Sequence, residues 1–186
     1  MLIWRLHNKD LGRWDVLGYF RIDHSRATPI LPGKGPHPVR DPEGHSYGVQ
    51  PVLVSASLDS GEFAWGQDLF NHGYYWEAHE AWEGLWQIAN RGSPLRAFLK
   101  GLILLSATGV KIREGKRTPA MRHAGRAGAL LRDLATAPHD HFSRALGMPP
   151  GLLADLAEAT AGATRASRMM AQGQPEPVFN FVLGDA

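Results

Sequence analysis

The sequence predicts an all-α fold: a compact multihelical bundle of four to six helices with an extended Pro/Gly-rich N-terminal segment. Three observations predict it. Beyond residue 58 apolar residues recur at helical intervals, and these runs are punctuated by Ser-Pro, Thr-Pro and Gly signals of helix starts and stops. Upstream, the stretch from Pro29 to Pro51 holds Pro29, Pro32, Pro36, Pro38, Pro42 and Pro51 with Gly33, Gly35, Gly44 and Gly48, a density that excludes regular helix.

Asp59 or Ser60 is placed to cap a first helix that carries Phe63, Leu69 and Phe70 to about His72, where Gly73 stops it. A second helix runs from Tyr74 or Tyr75 to about Asn90 and ends at Arg91-Gly92. Ser93-Pro94 reads as N-cap and first helical residue of a third, whose Leu95, Phe98, Leu99, Leu102, Ile103, Ser106 and Val110 form one stripe ending near Gly115. Thr118-Pro119 repeats that signature and opens a fourth helix to about Thr136, with Gly125 and Gly128 permitting a close neighbour. Pro138 breaks it. A short helix over 142–146 follows, then a last one from Pro149-Pro150 to about Gln172 along Leu152, Leu153, Leu156, Ala159 and Ala163. The expected organisation is an N-terminal segment 1–57, a bundle 58–174 and a tail 175–186 whose apolar Val178 to Leu183 docks on the bundle.

A chain of 186 residues has core enough to fold without disulfides or a structural metal. With nine His, six Trp and no Cys, it is barred from thiolate nucleophiles, iron–sulfur ligation and zinc–thiolate sites, and it fits a reducing cytoplasm. No apolar run reaches the roughly 18 residues of a membrane span, and Met1 to His7 is too short and mixed for a signal peptide. The net charge of +2 hides an asymmetry. From Asp59 to Gln87 there are six acids and no Lys or Arg; from Ile88 to Leu134 there are ten bases against Glu114 and Asp133. Consecutive helices of opposite sign can pack and neutralise each other; the alternative is a basic face over 91–132 for nucleic acid, which no nucleic-acid-binding motif supports.

The densest chemistry lies between Phe70 and Trp86. On a helix, Glu83 falls about 40° from His79, Trp86 about 20°, Tyr75 about 40°, and Trp76 and Trp82 about 60°. His79 and Glu83 therefore stand in an aromatic stripe, with Glu80 on its flank at about 100° and Glu77 on the opposite face at about 160°. Three readings are open for the pair: a polar tie inside the core, two ligands of a divalent metal (zinc, iron, manganese or nickel), or a metal-free acid/base pair. His79-Glu80-Ala81-Trp82-Glu83 resembles a zinc-protease helix with the second His replaced by Glu, which makes Glu80 the candidate catalytic base. A third ligand must come from elsewhere; His37, Asp41 and His45, at four-residue spacing in the Pro-rich arm, are the candidates. His123, His139 and His141 read as solvated.

The run Phe70-Asn71-x-Gly73-x-Tyr75-x-Glu77-Ala78-His79-Glu80-x-x-Glu83-x-x-Trp86, followed by Phe98-Leu99-Lys100-Gly101-Leu102-Ile103, Lys111 and Gly115, resembles the domain of unknown function family 309. These are small helical prokaryotic proteins with a His-x-x-x-Glu-x-x-Trp core, here His79, Glu83 and Trp86. The resemblance covers about Trp65 to Leu131 and implies a compact multihelical bundle with no established activity. Where members often have Gln-Gly-Leu-Ile-Gln, this chain has Lys100-Gly101-Leu102-Ile103-Leu104. A Lys there competes with a metal for the carboxylates or pairs with Glu80 or Glu83, and Gly101 is placed to admit a Trp of the second helix.

Two further functions compete with a metal-dependent hydrolytic site lined by Tyr75, Trp76, Trp82, Trp86 and Lys100. One is a helical interaction module presenting those aromatics to a protein partner or to a second copy in a homodimer. The other is the basic nucleic-acid face.

Overall fold

The computed structural model describes residues 55–135, 140–163 and 175–184, all within the unit Leu53–Ala186. The Pro-rich arm with His37, Asp41 and His45, and also His139, lie outside the described residues. Among the described residues there are six helices and no strand: α1 (Gly61–Asn71), α2 (Tyr75–Ile88), α3 (Pro94–Arg113), α4 (Arg117–Ala135), α5 (Asp140–Leu146) and α6 (Pro150–Gly162). None is long and apolar enough to cross a membrane.

Local chemistry sets the boundaries. Ser60 Oγ accepts from the Phe63 N–H at 3.2 Å, and Gly73 turns the chain at φ +84°. At the other end of α2, Gly92 turns at φ +76°, and no basic residue lies in the helix's own last turn. Arg96 on α3 supplies that charge instead: its Nη1 donates to the Trp86 carbonyl at 2.5 Å and to the Ala89 carbonyl at 2.7 Å. Ser93 Oγ caps α3 at 3.2 Å, with Pro94 as its first residue. Arg117 opens α4 one residue before the expected Thr118 cap, so Pro119 falls in the first turn, where its missing N–H is not needed.

α3 is the central helix. It was expected to bury one stripe, but from Phe98 to Val110 nearly every residue is buried, because α2 and α4 both pack along it. Small residues set the approach of its neighbours. A Cβ on Gly109 would stand 2.6 Å from the Tyr75 ring, and one on Gly66 of α1 would stand 2.3 Å from Trp82 Nε1. Gly101 meets Leu131 of α4 rather than a Trp of α2, correcting the expectation from sequence. On the far side, Ala120, Ala124 and Ala127 of α4 and Ala154, Ala157 and Ala161 of α6 are buried where these two helices pack. The stripe expected on α6 is rotated: Leu152 and Leu156 are exposed, because the alanine face allows closer helix packing than the leucines would.

The segment 175–184 runs across α1, α2 and α5 without regular structure. Val178, Phe179 and Leu183 are buried in the main core, and Phe179 stacks on Phe70 with centroids 5.3 Å apart.

Candidate functional site on the second helix

Which face of α2 meets the core differs from the expectation. Tyr75, Ala78, Trp82 and Leu85 are buried, so the core direction lies roughly 80° from His79 on the helix. Bulk misled the sequence reading, which followed Trp76 and Trp86 and passed over Ala78. Two residues expected to line a site therefore serve the fold. Trp82 is fully buried with its indole N–H directed at the Phe63 carbonyl at 3.4 Å, and the Tyr75 hydroxyl accepts from the Val178 N–H at 2.7 Å.

His79 stands at the edge of the core with its side chain 23% exposed, beside a Glu83 side chain that is 43% exposed. Its ring lies parallel to that of Trp76, with centroids 5.5 Å apart. His79 Nε2 is 3.7 Å from Glu83 Oε2, longer than a hydrogen bond. Burial is the largest influence on the ring and pulls its pKa below the ordinary value. Glu83 and the Ile103 carbonyl work against that shift, while Lys100 of α3 and His123 of α4 add to it. His79 is thus a neutral, solvent-reachable imidazole at pH 7. Among the described residues Lys100 pairs with neither Glu80 nor Glu83; its Nζ lies 4.7 Å from the centre of the Trp86 ring, which Arg96 also contacts at 4.0 Å.

Glu80 belongs to a second group. Burial, then the charge of Glu77, pushes its carboxyl up to about 7; the Trp76 indole N–H opposes this and Glu83 adds to it. Burial also raises Glu77, against its own backbone N–H and the Arg113 guanidinium. Glu77 Oε2 and Glu80 Oε1 are buried without a hydrogen-bond partner, as is His123 Nδ1 on α4. Glu77, expected on the face opposite His79, is therefore part of the site's electrostatics. His123, expected to be solvated, is half-buried. The antiparallel pairing of α2 with α3 brings Arg113 beside Glu77, and the Lys111 to Arg113 run at the end of α3 was the available signal.

No group of three or more His, Asp or Glu among the described residues could hold a metal ion. The basic segment is largely engaged in the fold. Arg96 caps α2, Arg113 donates to the Gly73 carbonyl at 3.0 Å, and Arg117 reaches the Gly162 carbonyl at 2.9 Å. Lys111 and Lys116 bind Glu114, and Arg132 binds Asp155 and Glu158. The expected neutralisation of α1–α2 by α3–α4 is thus mostly replaced by helix-end carbonyls and by acids on α6.

These features define a class: an all-α domain whose second helix packs an aromatic face inward and carries, off that face, a His/Glu pair and two further carboxylates that are partly buried. Residues 63–123 match the family model described as Domain of unknown function (DUF309). The match spans His79, Glu80, Glu83, Lys100 and His123. No curated protein and no solved structure matches the chain.

Proposed function

We propose that the outer face of α2 is a divalent-metal site of hydrolytic type, with His79 and Glu83 as the ligands that this helix supplies and Glu80 as a proton-transferring group. The observation that carries the reading is the 3.7 Å separation of His79 Nε2 and Glu83 Oε2. Two donors at about 2.1 Å from one tetrahedral ion stand roughly 3.4 Å apart, so a small rotation of Glu83 brings both to one ion. A neutral imidazole is the form that binds metal. Zinc sites take at least three protein ligands, so a further donor must join His79 and Glu83.

A second reading, a metal-free proton-transfer site, is favoured by Lys100, whose charge at His79 opposes a bound cation. It is favoured too by the opposite displacement of the two groups, burial lowering the pKa of His79 and pushing that of Glu80 up to about 7. Metal analysis and calorimetric titration of untagged protein with zinc, manganese and nickel separate the two readings. The metal reading expects one ion per chain, lost in His79→Ala/Glu83→Ala. Trace metal unchanged in that double variant overturns it and leaves the proton-transfer reading.

A further inference from the structure

We infer that the cleft between α1, α2 and α5 is a receptor for a non-helical peptide segment, filled by the chain's own segment 178–184 and open to exchange with the same segment of a second copy.

The cleft reads peptide backbone. Asn71 of α1 treats Leu183 as a neighbouring strand would: its Oδ1 accepts from the Leu183 N–H at 2.8 Å and its Nδ2 donates to the Leu183 carbonyl at 2.9 Å. The Tyr75 hydroxyl takes the Val178 N–H at 2.7 Å, and the Leu146 carbonyl takes the Gly184 N–H at 2.9 Å. Groups that bind main chain alone do not distinguish one sequence from another, so selection falls to the side-chain pockets. Val178, Phe179 and Leu183 fill these, whereas Asn180 and Val182 face solvent. Phe179 packs on both Phe70, stacked at 5.3 Å, and Tyr75, edge-on at 5.6 Å. Glycines admit the incoming backbone: a Cβ on Gly147 would stand 2.7 Å from the Gly184 carbonyl oxygen, and one on Gly73 would stand 2.6 Å from the Glu176 backbone.

The second copy is the occupant that fits by identity, since it carries the same three anchors and the same backbone groups. Eleven residues, 164–174, join α6 to this segment; covalent geometry lets such a connection span up to about 40 Å. Docking within one chain then has an effective concentration in the mM range, and exchange between copies emerges only as protein concentration approaches that value or when the internal contact is weakened.

Complementation tests this. Phe179→Ala/Leu183→Ala keeps the cleft and spoils the segment; Asn71→Ala spoils the cleft and keeps the segment. Each variant is examined alone and as a mixture by sedimentation velocity, with helicity followed by circular dichroism. The expected result is a 1:1 complex in the mixture that neither variant forms by itself. A synthetic peptide of residues 175–186 is expected to bind the segment-spoiled variant at least tenfold more tightly than the wild-type chain, and to restore its helicity where that has fallen. A mixture that stays monomeric, or a peptide that neither binds nor restores that variant, overturns the inference.

Discussion

Two sides of α2 obey opposite rules. On the side that meets the C-terminal segment, polar groups entering the interior find partners: Asn71 with Leu183, Tyr75 with Val178, Gln67 with the Ala145 carbonyl at 2.6 Å, and Arg113 with the Gly73 carbonyl. On the outer flank, Glu77 Oε2, Glu80 Oε1 and His123 Nδ1 are shielded from water with no partner, and His79 meets Glu83 only at 3.7 Å. Apart from the Ser106 hydroxyl buried in α3, the unsatisfied groups named here gather on the outer flank; unsatisfied burial costs stability and marks where another requirement can act. The first side is construction, and the second is where we place function.

Substitutions with opposite signs break or sharpen this contrast. Phe179→Ala removes a ring buried against Phe70 and Tyr75 and is expected to cost about 3 kcal/mol in denaturant unfolding, the typical loss for a buried Phe. If it costs nothing, the segment is not part of the construction. Glu80→Gln is expected to stabilise at pH 8. The carboxyl's folded pKa, about 7, lies above its ordinary 4.5, so the native state binds more protons than the unfolded one between those values, and stability falls as pH rises through that window. The glutamine removes the charge. Because the side chain is partly open to water, the gain at pH 8 is expected near 1 to 2 kcal/mol, below the roughly 3 kcal/mol that the full shift implies, and it vanishes at pH 4. A glutamine that destabilises equally at both pH values would place Glu80 with the satisfied groups.

Much of this architecture was legible in the chain because its signals are local. Ser60, Gly73, Ser93-Pro94 and Gly115 act through their own backbone and side chains, and the helix ends fall where they point. Orientation was less legible, for one physical reason. Hydrophobic periodicity follows large side chains, while Ala78, Gly66, Gly109 and the alanines of α4 and α6 set which faces close. The rotation of α2 moved Trp82 and Tyr75 out of the candidate site, and that of α6 exposed Leu152 and Leu156. Spacing could name His79, Glu80 and Glu83. It could not show that Lys100 and His123 add to the effect of burial on His79, since that depends on how α3 and α4 cross α2.

The smallest expected effect tests that last assignment. Lys100→Met keeps an unbranched chain over Trp86 and removes the positive charge, which disfavours the imidazolium of His79. The His79 midpoint, followed by the NMR shift of its Cε1 proton, is expected to rise toward the ordinary 6.5. Glu83→Gln removes the opposing charge and is expected to lower it. The sign carries over to stability. A ring whose folded pKa is depressed binds fewer protons native than unfolded, so stability falls as pH drops through 6.5, and Lys100→Met reduces that fall. A midpoint that ignores Lys100→Met while still responding to Glu83→Gln would remove α3 from the electrostatics of the site. The principal argument against a cation beside His79 would go with it.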